Sequence, residues 1–165
     1  MTQPSRDPSA PAPPLATPAL DLMRLLLHVG HGLERLSLRM ESRLGVTAQQ
    51  RLVLRLIGRH PGITPGRLAE RLHLDPGTIS AIVRRLEAKK LVRRGSDPRD
   101  KRRTTLGLTE EGRALDRVVP GTVESVVERV LAADREGRIR ATETLLTDLA
   151  RALEQEATRP DDERT

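Results

Sequence analysis

The chain has 165 residues, contains no cysteine and no aromatic residue, and carries a net charge of +6. The missing cysteines exclude disulfides, thiolate nucleophiles and cysteine-based zinc sites, and they fit the reducing cytoplasm in which we expect the protein. No apolar run reaches the roughly 18–20 residues of a membrane span, and we expect no secretory signal and no membrane partner.

Both ends of the chain differ in composition from its middle. Residues 1–20 hold six of the twelve prolines and show no periodic apolar pattern. We therefore predict a disordered Pro/Ala-rich tail over 1–19, one domain over 20–156 and a second disordered tail over 157–165.

The segment after the first tail has the spacing of an amphipathic helix of about six turns, because its apolar residues recur at intervals of four and three. These residues are Leu22, Leu26, Val29, Leu33, Leu36 and Met40. Gly45 is a C-cap candidate, and Thr47 with Gln50 predicts a capping box that opens a second helix. This second helix should run through Leu52, Val53, Leu56 and Ile57. His60-Pro61-Gly62 should end it.

Two successive segments begin with the same signal, an N-cap residue followed by proline. Thr64-Pro65 opens a short helix to about Leu72, and Asp75-Pro76 opens another to about Lys89. The turn His73-Leu74 joins them, as in a helix-turn-helix. In that motif the second helix lies in the major groove of DNA.

A β-hairpin is predicted next, with strands at 91–94 and 104–108 and a polar, basic tip between them. Thr109 caps a further helix, which we expect to continue through Val118 and Val119 until Pro120-Gly121 kinks or interrupts it. A last helix with a near-heptad apolar spacing follows Asp134.

The positive charge is concentrated in one segment. Residues 81–103 carry ten basic and three acidic side chains and therefore hold the whole charge excess. Such a local concentration is typical of a polyanion-binding site, although a solvated charged face remains an alternative. Because single-stranded nucleic acids are usually bound by stacking on aromatic rings, duplex DNA is the better partner for this chain.

The candidate contact residues lie on the second helix of the pair and on the hairpin tip. Small or polar side chains at the start of the helix allow close approach to base edges and phosphates, and two arginines follow one turn later. The predicted DNA-binding residues are Thr64, Gly77, Thr78, Ser80, Arg84, Arg85, Arg99, Lys101, Arg102 and Arg103. Asp97 and Asp100 are expected to brace the arginines or shape the turn. An ordinary helical hairpin with a solvated loop is the alternative.

The ordered set of motifs resembles the MarR family (multiple antibiotic resistance regulators) over about residues 20–155. The motifs are Gly45-Val-Thr-Ala-Gln-Gln50, Thr64-Pro-Gly-Arg-Leu-Ala-Glu-Arg-Leu72, Asp75-Pro-Gly-Thr-Ile-Ser80, Val83-Arg-Arg-Leu-Glu87, Asp97-Pro-Arg-Asp-Lys-Arg-Arg103 and Leu108-Thr-Glu-Glu-Gly112. The resemblance implies an obligate two-fold dimer, a recognition helix and a wing, and repression relieved by a small ligand. It also implies that Asp100 and Arg102 form the wing pair whose arginine enters the minor groove.

We therefore expect a mainly α fold with a small β-hairpin wing, in which the terminal helices form a dimerisation domain. The winged helix-turn-helix core spans 46–108, and the dimerisation helices span 20–44 and 109–156. The expected partners are a near-palindromic duplex, a second copy of the chain and a small-molecule effector.

Three other interpretations concern metal binding, catalysis and architecture. His28 and His31 lie one turn apart and are weak metal candidates, but surface or interface histidines are the favoured interpretation. No catalytic motif stands out and no cofactor is expected, so an enzyme is not predicted. The functional alternative is an architectural or protein-interaction winged helix without base-specific readout.

Overall fold

The computed structural model describes residues 17–97, 100–134 and 137–159. Most of the two predicted tails, and Arg99 of the hairpin tip, lie outside these residues. Within the described ranges seven helices and two strands follow one another. They are α1 (Pro18–Leu44), α2 (Ala48–Arg59), α3 (Pro65–Leu72), α4 (Pro76–Ala88), β1 (Val92–Ser96), β2 (Thr104–Leu108), α5 (Glu110–Leu115), α6 (Val123–Ala132) and α7 (Arg138–Thr158).

The predicted helix boundaries around α2, α3 and α4 are confirmed. Gly45 ends α1 in the left-handed conformation at φ 72°, and Thr47 with Gln50 forms the capping box of α2. Thr64 and Asp75 accept backbone hydrogen bonds at the starts of α3 and α4, each with proline in the first turn. These side chains satisfy amide groups that a helix leaves unpaired at its start.

Helix α1 begins earlier than the apolar spacing from Leu22 predicts. The Thr17 hydroxyl accepts a hydrogen bond from the Leu20 amide at 3.3 Å, and Pro18 occupies the first helical turn. Thr17-Pro18 therefore repeats the signal of Thr64-Pro65. The apolar spacing begins at Leu22, whereas the Thr17 cap sets the start of the helix.

A single hydrophobic core joins α2, α3, α4 and the hairpin. Its fully buried members include Val46, Val53, Leu54, Ile57, Leu68, Ile79, Val83 and Leu86. On α2, Leu52 is 54% exposed, whereas Leu54 is fully buried. The core face of α2 therefore contains Leu54 and not Leu52, and the buried positions of this helix are 50, 51, 53, 54 and 57.

The hairpin forms an antiparallel pair in which Val92 lies opposite Leu108 and Ser96 opposite Thr104. Strand β1 extends to Ser96 and not to residue 94, because Gly95 pairs with Thr105 and does not begin the turn. The loop after α2 adds a further rung: the Gly62 amide donates to the Leu106 carbonyl at 3.0 Å, and the Leu106 amide donates to the Ile63 carbonyl at 2.9 Å. Strand β2 is therefore hydrogen-bonded to β1 along one edge and to the loop after α2 along the other.

Helix α5 ends at Leu115, so the predicted continuation through Val118 and Val119 is wrong. Buried Arg51 of α2, which is only 1% exposed, donates to the carbonyls of Leu115, at 2.7 Å, and of Arg117. These carbonyl groups accept from a guanidinium group and not from the amides of a further turn. The helix is therefore interrupted well before Pro120.

A second arginine of α2 fixes the same chain segment. Arg55 donates to the Asp116 carbonyl at 2.8 Å and pairs with its carboxylate at 2.9 Å. Gly58 makes this approach possible, since a Cβ atom there would lie 2.1 Å from the Asp116 Oδ2 atom. The end of α5 is thus held by two arginines that are more than sixty residues earlier in the chain.

The chain divides into two compact units, one ending at Arg117 and one beginning at Val118. The second unit contains α6 and α7, and neither helix buries an apolar residue among its described positions. In the described ranges, no helix combines the length and apolarity needed to cross a membrane.

Candidate nucleic-acid interface

The α3–turn–α4 arrangement is a helix-turn-helix. His73 ends α3 in the left-handed conformation at φ 49°, and the Leu74 amide donates to the Ala69 carbonyl at 3.1 Å. Buried Leu68 of α3 and Ile79 of α4 belong to the same hydrophobic core. The motif therefore has a fixed inner side and leaves the outer side of α4 available for a partner.

The outer side of α4 carries most of the helix residues predicted to bind DNA. Gly77, Ser80, Arg84 and Arg85 are all exposed. Gly77, Ser80 and Arg84 are spaced by three and four residues and therefore share one helix face, opposite the buried positions, whereas Arg85 lies beside Arg84 at the edge of that face. This face therefore combines close approach at its N-terminal end with guanidinium groups one to two turns further on.

Thr78 has a different environment from its neighbours. It is half-buried; its amide donates to Asp75 Oδ1 at 2.8 Å and its hydroxyl donates to Asp75 Oδ2. The same hydrogen bonds lower the pKa of the Asp75 carboxyl, so that it stays ionised at neutral pH. Because the Thr78 hydroxyl proton is used in the cap, this side chain meets a partner as an acceptor.

Two basic residues of the 81–103 segment serve the fold. Arg94 Nε lies 3.0 Å from both carboxylate oxygens of Glu87, which links β1 to α4. Lys89 donates to the Gly45 carbonyl and, at 3.1 Å, to Gln50 Oε1. The number of basic residues in this segment is therefore larger than the number of cations available to a partner. The Glu87–Arg94 pair, which was not predicted from the sequence, holds the wing against α4.

The described residues of the wing tip, 97 and 100–103, are linked by hydrogen bonds and include three exposed basic side chains. The Asp97 amide donates to the Arg103 carbonyl at 3.0 Å, and the Arg102 amide donates to Asp100 Oδ1 at 3.0 Å. Lys101, Arg102 and Arg103 are exposed. The Asp100 carboxylate therefore accepts a hydrogen bond from the backbone of the wing tip.

Thr64 and Arg103, separate in the sequence, line one cleft of about 510 Å³. The cleft lies between the loop after α2, helix α3 and the wing tip. Its remaining lining residues are Arg59, His60, Pro61, Gly62, Ile63, Arg67, Arg71 and Asp97. This cluster was not predicted from the sequence. The four-residue spacing of Arg67 and Arg71 would have placed both arginines on one face of the helix.

His28 and His31 are exposed on α1 beside Arg35 and Arg39. Throughout the part of the chain that the structure describes, no three His, Cys, Asp or Glu side chains lie together as a metal site would require. Two adjacent arginines also disfavour a cation electrostatically. The weak metal prediction therefore gains no third ligand.

A capped helix pair followed by a β-hairpin fixed to the second helix defines the winged helix-turn-helix class. A family model described as "MarR family" matches residues 44–103. The HTH-type transcriptional regulator SarZ of Staphylococcus epidermidis is 30% identical over 105 residues, which cover 64% of this chain and 68% of SarZ. The chain belongs to the MarR family of transcription regulators.

Two further relatives extend the comparison. The organic hydroperoxide resistance transcriptional regulator of Bacillus subtilis is 34% identical over 86 residues, covering 49% of this chain and 57% of the relative. The chain thus spans little more than half the length of that regulator. A mutant of the MarR protein of Escherichia coli, solved in complex with operator DNA, has a TM-score of 0.62 at 28% identity, covering 79% of this chain and 94% of the other.

Proposed function

We propose that this chain is a sequence-specific regulator that binds double-stranded DNA as a homodimer. The observation that carries the proposal is the exposed face of α4, in which Gly77 and Ser80 precede Arg84, next to a fixed wing with three exposed basic residues. The operator DNA in the structure of the E. coli relative supports the same partner.

The geometry supports a division of roles within this surface. Ser80, Arg84 and Arg85 are the residues for major-groove contacts. Ser80 lies in the N-terminal half of α4, which faces the base edges in a recognition helix, and the two arginines follow about one turn later with side chains long enough to reach the groove. Arg102 is the residue for the minor groove, since a narrow groove concentrates negative potential. Thr64, Lys101 and Arg103 then contact phosphates, which position the protein without reading sequence.

A homodimer is supported by the apolar side chains that α1, α6 and α7 expose. The largest exposed fractions include Leu27 at 63%, Val130 at 63% and Leu153 at 61%. Large contiguous apolar surface is uncommon on monomers and marks association sites. A two-fold dimer would present two copies of α4 to the two halves of a near-palindromic operator.

The regulator is proposed to act in the cytoplasm as a repressor that a small molecule releases. The name of the B. subtilis relative refers to organic hydroperoxides. These 165 residues contain no cysteine, so thiolate oxidation is not a sensing route available to them. A non-covalent effector is therefore the form of regulation that we propose.

The test is selection of binding sites from a random duplex library, followed by footprinting on the intergenic DNA beside the gene. We expect a protected near-palindrome with half-sites about one helical turn apart. Uniform weak binding without a protected site would contradict the proposal and favour an architectural winged helix. A thermal-shift screen of small molecules, followed by DNA-release assays on the hits, tests the effector separately.

A further inference from the structure

The cleft between α3 and the wing has a rigid base. The Gly62 amide and the Ile63 carbonyl both bond to Leu106 of β2, at 3.0 and 2.9 Å. Gly62 has a φ angle of 83°, a backbone conformation that residues other than glycine rarely adopt. The base of the cleft is thus fixed by backbone hydrogen bonds.

The charge of the cleft is strongly positive. Four guanidinium groups line it, and the lining contains one carboxylate, that of Asp97. The nearest opposing pair on α3 joins Arg67 to Glu70 at 3.7 Å, and both side chains are about two-thirds exposed. Such a solvated pair contributes little and gives way readily to a stronger anion. The four lining arginines are Arg59, Arg67, Arg71 and Arg103.

The position of the cleft suggests which anion it holds. Thr64 caps the start of α3, and in a helix-turn-helix the first helix crosses the DNA backbone. Arg103 belongs to the wing tip and lines the same cleft as Thr64. In the proposed complex, the DNA strand that runs from the major groove occupied by α4 to the minor groove entered by the wing passes between the start of α3 and the wing tip.

We propose that this cleft binds the phosphate groups of the DNA strand between the two grooves, with Arg59, Arg67 and Arg71 as backbone contacts. The inference rests on the proposed function and extends the DNA contact surface to the end of α2 and the outer side of α3. The guanidinium group suits this role because it forms bidentate hydrogen bonds with phosphate oxygens. These residues position the protein and carry no sequence information.

The first test measures the salt dependence of operator binding for Arg59→Ala, Arg67→Ala, Arg71→Ala and the triple variant. Each lost contact should reduce the slope of log K against log salt by about 0.9 and leave the base preference unchanged. Arg35→Ala and Arg39→Ala are matched controls, since both remove exposed arginines of α1 and should leave the slope unchanged. Thermal unfolding of every variant checks that the fold is retained.

The second test replaces phosphates of the operator, between the half-site and the flanking minor groove, with neutral methylphosphonate linkages. Wild-type protein should lose affinity on this DNA, whereas the triple variant should lose much less, because its contact is already absent. Equal losses for both proteins, or unchanged salt slopes, would overturn the inference while specific binding by the wild type upholds the proposed function. If inorganic phosphate occupies the cleft but the DNA substitutions have no effect, the site takes a free anion and the inference is wrong.

Discussion

Two regions of the molecule differ in how far their apolar residues are buried. The α2–α4 and wing region buries Leu54, Ile57 and Val83 completely, whereas α1, α6 and α7 expose residues such as Leu27 and Val130 to more than 60%. The first region therefore has its own core and can hold a DNA-binding surface in place. The terminal helices have amphipathic sequences without a comparable core, which indicates that they require association with another chain.

We call the α2–α4 and wing region, which has its own core, the closed region. The largest loss of its stability is expected from a cavity in that core. Leu54→Ala should lower the free energy of unfolding by about 2–5 kcal/mol, because the buried side chain leaves unfilled space. Leu52→Ala, on the same helix but 54% exposed, should change it by less than about 0.5 kcal/mol. Urea unfolding of both variants makes the comparison, and equal losses would contradict the assigned face of α2.

The end of the closed region depends on buried Arg51. Arg51→Met removes the donors to the carbonyls of Leu115 and Arg117, and should cost about 1–3 kcal/mol for each carbonyl left unpaired. Arg59→Met on the same helix removes an exposed arginine and should leave stability unchanged while weakening DNA binding. If Arg51→Met is as stable as the wild type, the interruption of α5 has another cause.

We call the terminal helices α1, α6 and α7, which expose their apolar residues, the open region. A charge placed on the apolar face of α7 tests its role in association. Leu153→Glu should weaken dimerisation by at least about tenfold, or 1.4 kcal/mol, since burying an unpaired carboxylate is unfavourable. Gln155→Glu adds the same charge two residues further on, towards the other side of α7, and should have little effect. Sedimentation velocity over a range of concentrations measures both. Equal behaviour of the two variants would argue against α7 as an interface.

The smallest expected effect concerns the start of α4. The pKa of Asp75 is lowered from its ordinary value of 3.8, chiefly by the hydrogen bond from the Thr78 hydroxyl. A lowered pKa in the folded state gives stability that is present above the unfolded pKa and is lost as pH falls through the folded pKa. The stability advantage of wild type over Asp75→Asn should therefore shrink below about pH 4 in urea unfolding. A pH-independent difference would contradict this.

Local signals in the sequence were sufficient for most of the closed region. Thr47 with Gln50, Thr64-Pro65 and Asp75-Pro76 set helix starts through contacts within four residues, so their outcome did not depend on the rest of the fold. The resemblance to the MarR family added the two-fold dimer and the assignment of Asp100 and Arg102 to the wing pair.

Features that depend on distant contacts were missed. The end of α5 is decided by Arg51 and Arg55, which lie more than sixty residues earlier, and local spacing favoured a longer helix. The basic cleft brings Arg59, Arg71 and Arg103 together from three elements. Charge counting could not separate Arg94, which is paired with Glu87, from the arginines available to a partner.

The measurement that tests base reading most directly is a binding profile across every single-base variant of the selected operator. Ser80 and Arg84 are exposed on the same face of α4, whereas the Thr78 hydroxyl is engaged by Asp75. We expect the combination of Ser80→Ala and Arg84→Ala to change the preferred base at particular positions in each half-site, by about 1–3 kcal/mol for each lost bidentate contact. A double variant that binds all sequences more weakly, with the wild-type preference intact, would contradict direct readout by α4.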